Sequence, residues 1–245
     1  MSDLPWLTSE DTPFPKVTEA WKSPNGLLAV GGSLSAKRLI SAYQQGIFPW
    51  YSDGQPVLWW SPDPRFVLYP ERLKMSRSLR QSTRNRGYRV SIDTAFASVV
   101  KACAGPRVGV DGTWITSAML HAYVALHKAG VAHSVETWQD DNLVGGLYGV
   151  SLGRIFCGES MFSKQTDASK VALVHLAHQL RAWDFGLIDC QVPTEHLKSL
   201  GAESVSRNTF IQELQTLSTL PEPPWQAGDL PNPWSPIRVL VENHP

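Results

Sequence analysis

A chain of 245 residues that is 42% hydrophobic and 18% charged can bury one large core, or a medium core with a smaller companion, and this balance excludes a disordered polyampholyte. Its 22 Lys and Arg equal its 22 Asp and Glu, which excludes a globally basic nucleic-acid binder and leaves any such surface to local clustering. Cys103, Cys157 and Cys190 lie far apart without a C-x-x-C pair, which excludes a disulfide framework or a structural zinc and fits a reducing compartment.

Met1-Ser-Asp-Leu-Pro-Trp6 lacks the basic and then apolar pattern of a leader, and the apolar runs are too short to span a bilayer, so a cytoplasmic, membrane-free location is expected. Residues 1–64 are rich in Pro, Gly and Trp. One helix is expected there, capped by Ser33-Leu-Ser35, with Leu39, Ile40 and Tyr43 at helical spacing and Gly46 as its stop. Ile47-Phe-Pro-Trp-Tyr51, a turn at Ser52-Asp-Gly54 and Val57-Leu-Trp-Trp60 complete a compact, aromatic-lined small domain. Ser61-Pro-Asp-Pro64 interrupts helix and sheet alike and marks a boundary.

Residues 71–89 are basic, with Arg72, Lys74, Arg77, Arg80, Arg84, Arg86 and Arg89 against Glu71 alone. On a helix Arg77, Arg80 and Arg84 share one face. A solvated face is the plain reading and a phosphate-binding face the functional one. A helix runs from the cap Thr116 to Gly130. Strands at Ser134–Trp138, Leu143–Val150 and Arg154–Met161 have short connections and form an antiparallel meander. A periodic helix from about Ala168 to Trp183 follows, then Gly186 and a strand over Leu187–Val192. The tail from Pro221 carries seven prolines and is expected to wrap the surface. This order reads as α+β: a small N-terminal α/β domain (1–64), a catalytic domain with a central, mostly antiparallel sheet flanked by helices (65–220), and the tail (221–245).

Two segments carry candidate chemistry. Glu159, inside the apolar run Phe156-Cys-Gly-Glu-Ser-Met-Phe162, is costly to bury without compensation. Asp189 and Gln191 follow Leu187-Ile188, and strand alternation places them on one face with Cys190 on the other. Strand ends entering solvent are the alternative for both. Trp114 stands in a glycine-containing loop, whereas tryptophans in general serve the core. The chain has no G-x-x-x-x-G-K-[ST] and no G-x-S-x-G elbow, His175 and His178 lack metal-ligand company, and neither Cys157 nor Cys190 has an assignable histidine base.

The motifs gain weight as an ordered series. Pro24-Asn-Gly-Leu-Leu-Ala29, Gly31-Gly32, Gly46-Ile-Phe-Pro-Trp50, Trp59-Trp-Ser-Pro62, Gly112-Thr-Trp-Ile-Thr116, Gly145-Gly-Leu-Tyr-Gly149, Gly158-Glu-Ser-Met-Phe-Ser163, Leu187-Ile-Asp-Cys-Gln-Val192, His196-Leu and Ser199-Leu-Gly-Ala202 follow one another in this chain. The series resembles the bacterial leucyl/phenylalanyl-tRNA–protein transferase family from about residue 20 to residue 210. Ser33, Cys157 and Val205-Ser206 depart from residues common in that family, and none touches the Asp-Cys-Gln segment.

The resemblance implies an acyl-CoA N-acetyltransferase-like fold for the second domain. It implies transfer of Leu or Phe from Leu-tRNA or Phe-tRNA to the α-amino group of proteins with N-terminal Lys or Arg, marking them for N-end-rule degradation. It points to Asp189, Gln191 and Glu159 as catalytic, and to Trp50, Trp114, Leu147, Phe156, Met161, Leu176 and Ile188 around the aminoacyl-adenosine. Lys74, Arg77, Arg80, Arg84 and Arg86 would then hold tRNA phosphates without reading sequence. Turning an ester into an amide runs downhill, so no ATP site, metal or other cofactor is expected, and the protein is expected to work as a monomer. Asp189 can accept the proton of the attacking amine, and Gln191 can orient that amine or donate to developing charge. Two rivals are an acyl-CoA-dependent N-acyltransferase and a non-catalytic tRNA-binding module. The first needs a glycine-rich turn before the long helix, where Phe162-Ser-Lys-Gln-Thr-Asp-Ala168 has no glycine. The second gives no reason for Asp189 and Gln191 to emerge together from a core strand.

Overall fold

The computed structural model describes residues 3–105 and 115–233. Its first elements are β1 (Trp6–Leu7), β2 (Leu27–Gly31), α1 (Ala36–Gln44), β3 (Phe48–Pro49) and β4 (Leu58–Trp60), whose strands form a sheet in the order β1-β2-β4-β3. Ser35 caps α1 by accepting from Arg38 N at 3.1 Å, and Gly46 ends the run at φ +73°, a conformation in which a Cβ would be strained. Trp59 is fully buried and donates its Nε1 to the Gly31 carbonyl at 2.8 Å, so this tryptophan belongs to the core.

After Trp60 the chain leaves this sheet for a second one. It continues through β5 (Arg65–Leu68), α2 (Arg77–Asn85), β6 (Arg89–Ile92), α3 (Phe96–Cys103), α4 (Ser117–Lys128), β7 (Ala132–Gln139), β8 (Asn142–Leu152) and β9 (Ile155–Ser163). Then come α5 (Ala168–Ala182), β10 (Leu187–Gln191), α6 (Glu195–Ser199), β11 (Glu203–Val205), α7 (Arg207–Leu217) and β12 (Gly228–Asp229). The eight strands lie in the order β11-β5-β10-β9-β8-β7-β6-β12. Short turns make β7, β8 and β9 an antiparallel meander, as their sequence pattern requires. The crossover through α5 brings β10 back parallel to β9, while β10 runs antiparallel to β5 on its other side. The architecture is α+β, a largely antiparallel sheet flanked by helices.

Side-chain alternation divides the core in two. Leu147, Phe156 and Ile188 pack against Val171 and Leu176 of α5 on one face. Tyr148, Val150, Cys157 and Leu187 face the other way, into a cluster that holds Val99 of α3 and Tyr123 of α4 together with Leu39 and Tyr43 of α1 and Trp59 of β4. The described part of the tail lies along the body. Trp225 stacks on His133 at 3.9 Å between ring centroids, and β12 adds to the edge of β6. Among the described residues no helix is long and apolar enough to cross a membrane.

Candidate active site

The parallel pair β9–β10 keeps register only over Leu187↔Ile155, Ile188↔Phe156 and Asp189↔Cys157, and then the two strands part. Each carries a bulge at that level. On β9 Tyr148 faces Ser160 while Gly149 faces Gly158, which leaves Glu159 as the extra residue. On β10 Asp189 faces Val67 while Gln191 faces Phe66, which leaves Cys190 as the extra residue. A bulge bends its strand and re-aims the neighbouring side chains, and two bulges at one level open the sheet.

The opening leads into a cavity of about 520 Å³. Its lining draws on both faces of the sheet: Leu147, Phe156, Leu173, Leu176 and Ile188 come from the α5 side, and Tyr148 and Phe48 from the other. Pro49, Trp50, Val192, Thr194, His196 and Leu197 complete the lining, and Trp50, 45% exposed, reaches its open rim. Trp50, Leu147, Phe156, Met161, Leu176 and Ile188, expected from the sequence to meet around a ligand, all line this cavity. Trp114 lies outside the described residues.

Glu159 sits in the cavity wall and is held from three directions. Tyr43 Oη donates to its Oε1 at 2.7 Å, Tyr123 Oη to its Oε2 at 2.6 Å, and Gln191 Nε2 to Oε1 at 2.9 Å. The two phenols are 2.6 Å apart. Burial pushes the Glu159 carboxyl up to about 7; the bonds from Tyr123, Tyr43 and Gln191 favour the carboxylate and offset part of this, and the nearby Asp189 charge adds a smaller push in the same direction as burial. Burial and the Glu159 charge raise both phenols, so they remain donors at neutral pH.

Asp189 has different surroundings from those expected of a group that accepts a substrate proton. Its side chain is 1% exposed and forms a two-pronged pair with Arg65, Nε to Oδ1 at 2.8 Å and Nη2 to Oδ2 at 2.6 Å. Its Oδ1 also accepts from the Gln191 N–H at 2.9 Å. Gln191 has φ +65°, so it leaves the strand in the left-handed region, and the bulge at Cys190 breaks the alternation that would have put Asp189 and Gln191 side by side on one face. Gln191 therefore reaches the cavity and Asp189 stays behind it. Arg65 is secured in turn by the Gly46 carbonyl at 3.1 Å and by the rings of Phe48 and Phe210. Cys190 also lines the cavity, and burial drives its thiol well above the ordinary range, so it is a poor nucleophile.

Arg65, Tyr43 and Tyr123 were not singled out in the sequence. Arg65 had a readable signal, a guanidinium opening the apolar run Phe66-Val-Leu68, which must find an acid if it is buried. The two tyrosines stand at core positions of α1 and α4, where nothing separates them from ordinary core aromatics.

The basic segment forms α2, capped by Ser76 and anchored through Leu79, with Lys74, Arg77, Arg80, Arg84 and Arg86 on the surface. Ser82 of α2 donates to Asp167 Oδ2 at 2.8 Å, which ties the helix to the N-terminus of α5. No group of three or more His, Cys, Asp or Glu side chains arranged to hold a metal occurs among the described residues.

An α+β sheet opened around an apolar chamber, with one protonatable carboxylate fixed in its wall, is the arrangement of an enzyme that handles an apolar group. The family model described as leucyl/phenylalanyl-tRNA protein transferase matches residues 67–215, and that of the leucyl/phenylalanyl-tRNA protein transferase N-terminal domain matches residues 32–63. A leucyl/phenylalanyl-tRNA–protein transferase of Stutzerimonas stutzeri is 58% identical over 211 residues, covering 86% of this chain and 93% of its own. One from Nitrosomonas europaea is also 58% identical, covering 86% and 89% of the two chains. One from Saccharophagus degradans is 52% identical over 96% of this chain and 97% of its own. The chain belongs to the leucyl/phenylalanyl-tRNA protein transferase family. Among solved structures, a functionally unknown conserved protein from Staphylococcus epidermidis matches 74% of this chain and 68% of its own at 9% identity, with a TM-score of 0.35, a likeness too weak to characterise the fold.

Removing one partner of the buried Arg65–Asp189 pair leaves the other charge stranded. Arg65→Met is expected to lower unfolding stability by about 3–5 kcal/mol in urea titrations, and the Arg65→Met/Asp189→Leu double variant is expected to lose less than either single change. Additive losses would show that the pair is not coupled.

Proposed function

We propose that this chain is an aminoacyltransferase that moves Leu or Phe from its tRNA ester to the α-amino group of proteins beginning with Lys or Arg. The observation that carries this reading is Glu159: a carboxyl with a pKa of about 7, held by three donors in the wall of an apolar cavity. In this reading the incoming α-ammonium group first releases one proton to solvent. As the amine adds to the ester carbonyl, Glu159 takes a second proton from its nitrogen; the carbon–oxygen bond to the ribose then breaks, and Glu159 returns that proton to the departing ribose oxygen, leaving a neutral amide. A pKa near the working pH suits a group that both takes and returns a proton. Gln191, fixed by Asp189, orients Glu159, and Asp189 acts through Gln191 rather than on substrate.

Leu147, Phe156, Leu176 and Ile188 supply the apolar end of the cavity for a Leu or Phe side chain. At about 0.8 kcal/mol per buried methylene, Leu gains roughly 2–3 kcal/mol over Ala. An acyl-CoA donor fits less well. Its pyrophosphate would need the N-terminus of α5, where Asp167 already places a carboxylate held by Ser82 and by Lys170 at 3.2 Å. The same reading gives the chain an N-terminal domain over 1–64, an acyl-CoA N-acetyltransferase-like catalytic domain over 65–220 and a tail over 221–245. It also makes the protein a cytoplasmic monomer without a cofactor.

Two measurements test this reading. Transfer of labelled leucine from Leu-tRNA to a peptide beginning with Arg, without acetyl-CoA, is expected to proceed. Ionised Glu159 is the active form, so the rate should rise with pH through about 7. Tyr123→Phe removes a donor that favours the carboxylate, so that limb should move to higher pH. Acetylation of the peptide by acetyl-CoA without leucine transfer would establish the rival instead. For tRNA binding, each phosphate contact contributes about 0.7–0.9 to the slope of log K against log salt. Replacing Arg77, Arg80 and Arg84 together by Ala is expected to flatten that slope by about 2, and an unchanged slope would remove α2 from the tRNA surface.

A further inference from the structure

Phe156 lines the apolar end of the cavity, and it is also held from outside. On the sheet its ring presses against Gly149 of β8, where an added methyl group would stand 2.5 Å from Cε1, so the ring cannot settle closer to that strand. Its aromatic neighbour is Trp225 of the tail, at 6.0 Å between ring centroids and tilted by 33°, within the range at which aromatic rings attract. Trp225 is not one of the lining residues, so it meets Phe156 from behind the cavity wall.

Trp225 is fixed in turn. It stacks on His133 at 3.9 Å between centroids and meets Trp183 edge-on at 4.9 Å. His133 is buried, and its Nδ1 is hydrogen-bonded to Asp93 Oδ2 at 2.7 Å. The tail is pinned on both sides of the indole. Before it, Glu222 Oε1 accepts from Gly153 N at 3.0 Å; after it, Leu230 N donates to the Val90 carbonyl at 2.8 Å and Asp229 pairs with Arg89 at 2.7 Å. A line of contacts thus runs from Asp93 through His133 and Trp225 to the cavity wall.

We propose that Trp225 is a positioning residue for substrate choice: by backing Phe156 it limits the room at the apolar end of the chamber and so favours a Leu over a Phe side chain. This rests on the tRNA-ester reading of the cavity. Neighbours of a deleted core side chain relax in part into the space it leaves. Without the indole the Phe156 ring can retreat, which loosens the grip on Leu and gives the longer Phe side chain more room.

The test measures kcat/KM with Leu-tRNA and with Phe-tRNA, each with a peptide beginning with Arg, for the native enzyme and for Trp225→Ala, Trp225→Leu and Trp225→Phe. Trp225→Ala is expected to raise the Phe-to-Leu ratio about tenfold, the lower end of what an apolar pocket discriminates by one methylene. Trp225→Leu keeps an apolar side chain in place and is expected to shift the ratio the same way by at least about threefold. Trp225→Phe keeps a ring against Phe156 and removes an indole N–H that is buried without a partner among the described residues, so it is expected to fold and to stay within about twofold of the native ratio. A purely structural role for Trp225 would lower both rates together. An unchanged ratio in Trp225→Leu would therefore overturn the proposal whether or not Trp225→Ala folds, as would a shift in Trp225→Phe as large as that in Trp225→Leu. Absence of transfer from either tRNA by the native enzyme would overturn the tRNA-ester reading itself.

Discussion

Arg65 and Asp189 meet in the interior, about one hundred and twenty positions apart in sequence, and the geometry of the site follows from their pairing. Burying two charges is costly, and the cost is offset only when both are fully paired. Here the guanidinium fork meets both carboxylate oxygens, its remaining donor reaches the Gly46 carbonyl, and two phenylalanine rings lie against it. The pair joins β5 to β10. Through the Gly46 carbonyl and Phe48 it also reaches the segment that precedes the rim residue Trp50.

The same carboxylate determines where Gln191 points. Asp189 Oδ1 accepts from the Gln191 N–H, and that bond accompanies a left-handed residue that costs a non-glycine side chain on the order of 1–3 kcal/mol. The turn sends the Gln191 amide to Glu159, which a second bulge has pushed out of register on β9. One chain of contacts thus runs from Arg65 through Asp189 and Gln191 to Glu159. The tyrosines of α1 and α4 close it from the far side. Side chains held this way lose little freedom when a ligand arrives, and burial in the low-polarity wall raises the Glu159 carboxyl toward neutrality.

Much of the scaffold was legible in the sequence because it rests on repeating patterns. The meander of β7, β8 and β9, the capped helices α1 and α4 and the apolar period of α5 each recur over enough residues to stand out. The cavity lining from Leu147 to Ile188 was legible through resemblance rather than through periodicity. What sequence reasoning missed depends on single-residue breaks in a pattern. A bulge at Glu159 or Cys190 leaves no mark in composition, and Gln191 in the left-handed region violates the expectation that such a position be glycine. Strict alternation therefore gave Asp189 a place beside Gln191 and facing substrate, whereas the fold buries it against Arg65.

The central claim is that the fold holds Glu159 as a carboxyl that changes protonation near neutral pH. The most direct measurement is a carbon-13 NMR titration of side-chain-labelled glutamate, with Glu159→Gln used to assign the resonance. The account predicts that the Glu159 signal titrates near pH 7, well above the ordinary glutamate value of about 4.3. A signal already ionised at pH 5 would contradict it, because Glu159 would then be a fixed charge that cannot return a proton to the leaving ribose oxygen.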